Sequence, residues 1–187
     1  MRQNSENKKL RISDDIREPI RFIKNNLKKD LVGAEIGVYL GNHAKQMLDY
    51  LPLKKLYLID DWVNNVVKLE NETVTRRSTS FAYSRALTTL KPYSDSIEII
   101  KEESIIAVQQ IEDKSLDFVY IDGCHNCDSV FSDIYIWEKK VKRNGVLCGH
   151  DYKWHGVRNG IDIYLKFFPR KLNSYNSVRG DWWWVVQ

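Results

Sequence analysis

Short apolar runs that stop at an acid recur along this chain, with stretches of helical spacing between them. "LVGAEIGV" (31–38), "KKLYLID" (54–60), "SIEII" (96–100), "LDFVYID" (116–122) and "NGVLCGHD" (144–151) read as strands. Ile16, Ile20, Ile23 and Leu27 recur at helical spacing, which predicts a helix to about Lys29, capped by Ser13 or Asp14 and Asp15. "GNHAKQMLDYL" reads as a helix after a tight glycine turn, and "AYSRALTTL" as one broken by Pro92. "SIIAVQQI" follows the third strand. "CDSVFSDIYIWEKKV" puts Val130, Ile134, Trp137 and Val141 along one stripe, and "VRNGIDIYLKFF" stops before Pro169. Residues 64–81 show no clear period and read as a long loop or lid. The end, 170–187, reads as two strands joined at Arg179 and Gly180.

Strand and helix alternating in this way predict an α/β fold. It is a Rossmann-like, doubly wound, mostly parallel seven-stranded sheet covered on both faces. The closing pair has only a tight link, so its strands run antiparallel to each other, giving an antiparallel C-terminal strand. No repeat or composition break divides the chain. A ragged tail over 1–13 precedes one domain over 14–187. In such sheets ligands bind beyond the carboxyl ends of the strands, where strand order reverses. Asp60, Asp122, Asp151 and the Gly37–Gly41 turn all fall at such ends.

Composition narrows the class. The 187 residues are 43% hydrophobic and 29% charged, as in a soluble globular domain rather than a disordered one. No apolar stretch approaches the ~20 residues of a membrane span, and "MRQNSENKKL" has no signal-peptide core. Three Cys make no disulfide framework and fit a reducing cytoplasm. The net charge of +4 comes with scattered basic pairs rather than a stripe, so it does not point to nucleic acid. "DWWWVVQ" places three consecutive Trp on alternate faces of a strand. That is sheet core first, with a homodimer face or substrate wall as the alternatives.

Two constellations carry candidate chemistry. "EIGVYLGN" (35–42) followed by "LIDDW" (58–62) sets a glycine turn after one strand and an acid at the end of the next, the arrangement that holds a nucleoside. The full G-x-G-x-x-G is missing, so a phosphate-free nucleoside fits better than a dinucleotide. "IDGCH" (121–125) and "CGHDY" (148–152) bring Asp122 near His150 and Asp151, and converging carboxylates suit a hard divalent cation. His125 reaches the same cleft as a candidate general base. Cys124, Cys127, Cys148 and His150 form an alternative zinc set. Arg76 and Arg77 are candidate contacts for an acidic substrate, set against a plain solvated loop.

With "SLDFVYIDGCH" and "NGVLCGHDY" added, the chain from about Leu31 to Phe168 resembles the class I S-adenosylmethionine-dependent methyltransferases, most of all the branch of macrocin-type sugar O-methyltransferases. The resemblance implies a cytoplasmic enzyme methylating a small hydroxyl substrate, a sugar or glycoside, with S-adenosylmethionine as cofactor and Mg²⁺ as a candidate aid. It implies that Glu35, Gly37 and Gly41 line the methionine portion, that Asp60 holds the ribose flanked by Asp61 and Trp62, and that Glu103 and Ser104 meet adenine. It implies Asp122 beside the cofactor, Asp122 and Asp151 with His150 as metal ligands, and His125 with Asp122 in catalysis. Glu102 stands where a glycine is common, and His150 where some metal-dependent members carry a second carboxylate. The alternatives are a dinucleotide-dependent oxidoreductase and a non-catalytic Rossmann-like binding module.

Overall fold

The computed structural model describes residues 16–63, 66–69, 72–75, 79–175 and 180–187. In chain order the elements are α1 (Glu18–Asn26), β1 (Leu31–Ile36), α2 (Asn42–Tyr50), β2 (Leu53–Ile59), β3 (Val66–Leu69), β4 (Glu72–Thr75), α3 (Thr79–Leu90), β5 (Ile97–Ile100), α4 (Ser104–Ala107), β6 (Leu116–Ile121), α5 (Cys127–Trp137), β7 (Val141–Gly149), α6 (His155–Phe167), β8 (Asn173–Tyr175) and β9 (Asp181–Val185). The main sheet has seven strands in the order β5-β2-β1-β6-β7-β9-β8. The first five are parallel, and β9 runs antiparallel to both its neighbours. Strand order therefore turns back between β1 and β6, and the region above those carboxyl ends is where open sheets of this kind form their binding crevice.

The central strands are buried on both faces, as a covered parallel sheet requires. On one face Leu56, Leu58, Phe118 and Tyr120 pack under α1, α2 and α3, with Ile20, Ile23, Ala44, Met47 and Ala86. On the other, Ile36, Val119, Ile121 and Leu147 pack under α4, α5 and α6, with Ile134, Trp137 and Ile161. The three Trp of β9 divide as the pleat demands. Trp182 and Trp184 join the second core, and Trp183 lies against the first, 5.9 Å from the Phe22 ring.

Several boundaries differ from the sequence reading. The expected caps at residues 13–15 lie outside the described residues. The helix starts at Glu18, where Pro19 suits the first turn, and Leu27 is already extended. Residues 64–81 are not one loop. Val66–Leu69 and Glu72–Thr75 pair antiparallel, with Val66 opposite Thr75, and α3 begins at Thr79. β-branched Val66, Val67, Thr73, Val74 and Thr75 favour that ribbon, though it is too short to show a period. The Arg76–Arg77 pair lies outside the described residues. α5 gives way to a 3₁₀ turn at Glu138–Lys140, and Val141 already pairs with Leu116. The register then jumps, with Val146 opposite Phe118 and Asn144 between them in the left-handed region.

Candidate functional site

The site is built on the loops that leave β1, β2, β6 and β7. Backbone hydrogen bonds continue the ladder one step past the strands. Gly37 N–H donates to the Ile59 carbonyl, Asp122 N–H to Ile36 and His150 N–H to Ile121 (2.8, 2.8 and 3.3 Å). These loop residues are thereby held side by side. Tyr39, Trp62 and Asp151 all adopt positive φ (52°, 50° and 59°), which costs a non-glycine residue free energy and is held by what surrounds it.

Asp60 laces the first two loops together. Its Oδ2 accepts from the N–H groups of Val38 and Tyr39 (2.9 and 2.8 Å), and its Oδ1 from Trp62 N–H (2.7 Å). Trp62, buried, returns a bond from Nε1 to the Tyr39 carbonyl at 2.8 Å. Asp61 caps its own loop through Val63 N–H. A carboxylate offers about four lone-pair directions, so Asp60 keeps capacity for a further donor. Gly37 sits at φ 90°, and a Cβ there would stand 2.3 Å from the Asp122 carbonyl oxygen. Its glycine lets the ends of β1 and β6 touch. Gly41 is left-handed at the start of α2. Glu103 is exposed before α4. The Ser104 hydroxyl points inward, donating to Asp133 Oδ1 (2.5 Å) and accepting from Trp137 Nε1 (2.7 Å).

Beneath the crevice lies a buried polar chain. Glu35, 1% exposed, meets His43 Nδ1 through Oε1 at 2.7 Å. Burial raises the Glu35 carboxyl well above its ordinary range and lowers the His43 imidazole well below its own. Glu35 Oε2 and His43 Nε2 are buried without a hydrogen bond. The His43 ring rests 4.3 Å from Tyr120, centroid to centroid. Arg17 Nη1, just before α1, donates to Tyr120 OH (2.8 Å) and to Asp122 Oδ2 (2.7 Å).

Beside this chain, Asp122, His125 and Asp151 place one ligand atom each within 4.8 Å of one another. His125 Nε2 lies 2.8 Å from Asp151 Oδ2, buried and without a directed hydrogen bond, and its ring stacks on Trp154 at 5.1 Å. A recess next to the cluster is lined by Asp122, Cys124, His125, His150, Val157 and Trp182. His150 turns the other way. Its Nδ1 meets Asp181 Oδ1 at 2.8 Å, while Nε2 stays 3.9 Å from Asp151. The thiols do not join the cluster. Cys148 is buried and bonds the Val119 carbonyl, whereas Cys124 is exposed. The geometry thus gathers Gly37, Asp60, Asp122, His125 and Asp151 at the carboxyl ends of the strands, keeps Glu35 buried beneath them and turns Ser104 into the interior. It adds two residues the sequence reading missed, Arg17 and His43. A strand end, a turn and the start of α2 separate His43 from Glu35, 8 positions away, so spacing gave no signal of the pair. Arg17 offered none.

The comparisons follow this geometry. A family model described as a methyltransferase domain matches residues 34–152. Uncharacterized protein R132 of Acanthamoeba polyphaga mimivirus is 22% identical over 82% of this chain, which spans 62% of that relative's length. An O-methyltransferase from Bacillus cereus, solved in complex with SAH, superposes with a TM-score of 0.67 at 13% identity, covering 92% of this chain and 83% of that one. An rRNA methylase from Streptococcus thermophilus gives 0.63 at 12% identity, over 90% and 93%. At these identities the structural likeness is one of fold.

Proposed function

This chain belongs to the methyltransferase-domain family, and from that premise we propose that it takes S-adenosylmethionine as its cofactor and methylates a hydroxyl oxygen of a small acceptor, a sugar or glycoside, in the manner of the macrocin-type branch. The observation that carries the reading is the meeting of Asp122, His125 and Asp151 beside the β1–β6 crevice. The methyl group on a sulfonium is already activated. The protein's work is to align the acceptor oxygen in line with it and to take the proton away.

Each residue then has a task. Gly37 and Gly41 flank the methionine end, with Glu35 buried beneath them. Asp60 holds the turn and receives a ribose hydroxyl with its remaining lone pair, beside Asp61 and Trp62. Glu103 and the backbone at Ser104 border adenine. With Nε2 of His125 turned to Asp151, Nδ1 takes the hydroxyl proton, and Asp151 stabilises the imidazolium so formed. The oxygen atoms of Asp122 and Asp151 fit a hard cation, since they converge within 4.8 Å. Such an ion would supply Lewis-acid lowering of the hydroxyl's pKa. His150, bound to Asp181, shapes the recess rather than joining that set.

The test is methyl transfer from labelled S-adenosylmethionine to a panel of sugars and glycosides, with calorimetry of S-adenosylhomocysteine alongside. His125→Ala is expected to bind S-adenosylhomocysteine as the wild type does and to lose about 10²-fold or more in kcat. Full turnover in that variant removes the base assignment, and no nucleoside binding at millimolar ligand removes the reading itself.

A further inference from the structure

Asp122 already faces a fixed positive charge. Arg17 Nη1 sits 2.7 Å from its Oδ2, and the side chain is only 24% exposed. The guanidinium is anchored twice more, by the Tyr120 hydroxyl at 2.8 Å and over the Tyr120 ring at 5.4 Å. Its backbone is also fixed. α1 is pinned by Ile20 and Ile23 in the core and by Glu18 N–H on Asp181 Oδ2 at 3.4 Å. Asp151, the other carboxylate of the cluster, lies 2.8 Å from His125 and 3.9 Å from His150.

We propose that Arg17 is a positioning residue that competes with a divalent cation for Asp122 and so sets how tightly the carboxylates of the cluster, Asp122 and Asp151, hold one. This rests on the reading of that cluster as a cation site. An ion bound at Asp122 lies within a few ångströms of the guanidinium, and the two positive charges repel. At ~5 Å a unit charge and a double charge disfavour each other by about tenfold in affinity even at the dielectric of water, and by more in a half-buried crevice. The consequence is local to this chain. Arg17 precedes residues 34–152, where the family model matches, so the matched domain alone does not determine the site's appetite for metal.

The experiment is titration of the full chain with Mn²⁺, read as loss of the free-ion electron paramagnetic resonance signal. It needs no turnover. Arg17→Gln is expected to bind Mn²⁺ about tenfold or more tightly than the wild type, and Arg17→Lys to stay near it. Asp122→Asn in the Arg17→Gln background is expected to erase the gain. Equal or weaker binding by Arg17→Gln overturns the proposal, as does a lysine variant that matches the glutamine one, or no Mn²⁺ binding by any form. Circular dichroism checks folding. If Arg17→Gln fails to fold, Tyr120→Phe, which removes one anchor of the guanidinium, is expected to tighten Mn²⁺ two- to threefold, and no change overturns the proposal. S-adenosylhomocysteine calorimetry on the same samples separates the two ideas. Its failure removes the methyltransferase mechanism, whereas the Mn²⁺ series judges Arg17 alone.

Discussion

At the scale of single residues, environment decides what each acid does. Asp60, Asp122, Asp151 and Glu35 were legible as candidates because an acid that ends or interrupts an apolar run has few structural reasons to be there. Their partners were not legible. Arg17 and Asp122 are 105 positions apart, and nothing in the N-terminal stretch marks an arginine that will cross to β6. Asp133 shows the same limit. It reads as the polar side of α5, yet it is 8% exposed, bonded to Ser104, and pushed up to about 6 by burial, with the Ser104 hydroxyl pulling the other way. A carboxyl raised in the folded state favours folding most below its ordinary value near 3.8, and that advantage fades as pH rises to about 6. Asp133→Asn keeps an acceptor for Ser104 and loses the ionisation. The variant is expected to be more stable than the wild type at pH 7, by about 1–3 kcal/mol, and to flatten the fall in stability between pH 4 and 6. Urea unfolding across that range checks it. A variant less stable at pH 7 shows that the charge is wanted there.

At the scale of elements, the alternation of strands and helices was plain because buried parallel strands are nearly continuous in apolar residues and their cover helices are striped. The β3–β4 ribbon escaped because four-residue strands carry too few positions to display a period. The end of α5 was misplaced because "WEKKV" continues a helical stripe while Val141 is claimed by Leu116 in the sheet, a tertiary choice. The contact between β1 and β6 is also an element-scale feature, resting on Gly37. Gly37→Ala sets a methyl 2.3 Å from the Asp122 carbonyl at φ 90°. It is expected to destabilise the fold by about 2 kcal/mol or more and to weaken S-adenosylhomocysteine binding at least tenfold. Chemical denaturation and calorimetry measure the two. An alanine variant with unchanged stability and affinity shows that the two ends have room to part.

At the scale of the whole molecule, the strand order and the switch between β1 and β6 gather residues from seventeen to one hundred and eighty-one around one crevice. Binding there braces both halves of the sheet, so ligand and fold are linked. S-adenosylhomocysteine at a hundred times its Kd adds about 2.7 kcal/mol, which for a domain of this size raises Tm by about 5–10 °C. A flat melting curve across saturating ligand contradicts a crevice shared by both halves. The order β7-β9-β8 has a further effect. The strand that covers β7 follows β8 in the chain, so during folding Val146, Leu147, Cys148 and Gly149 form a bare margin until Trp182–Val185 zips against them. Until then that margin is an open edge on which a second, partly folded copy can pair.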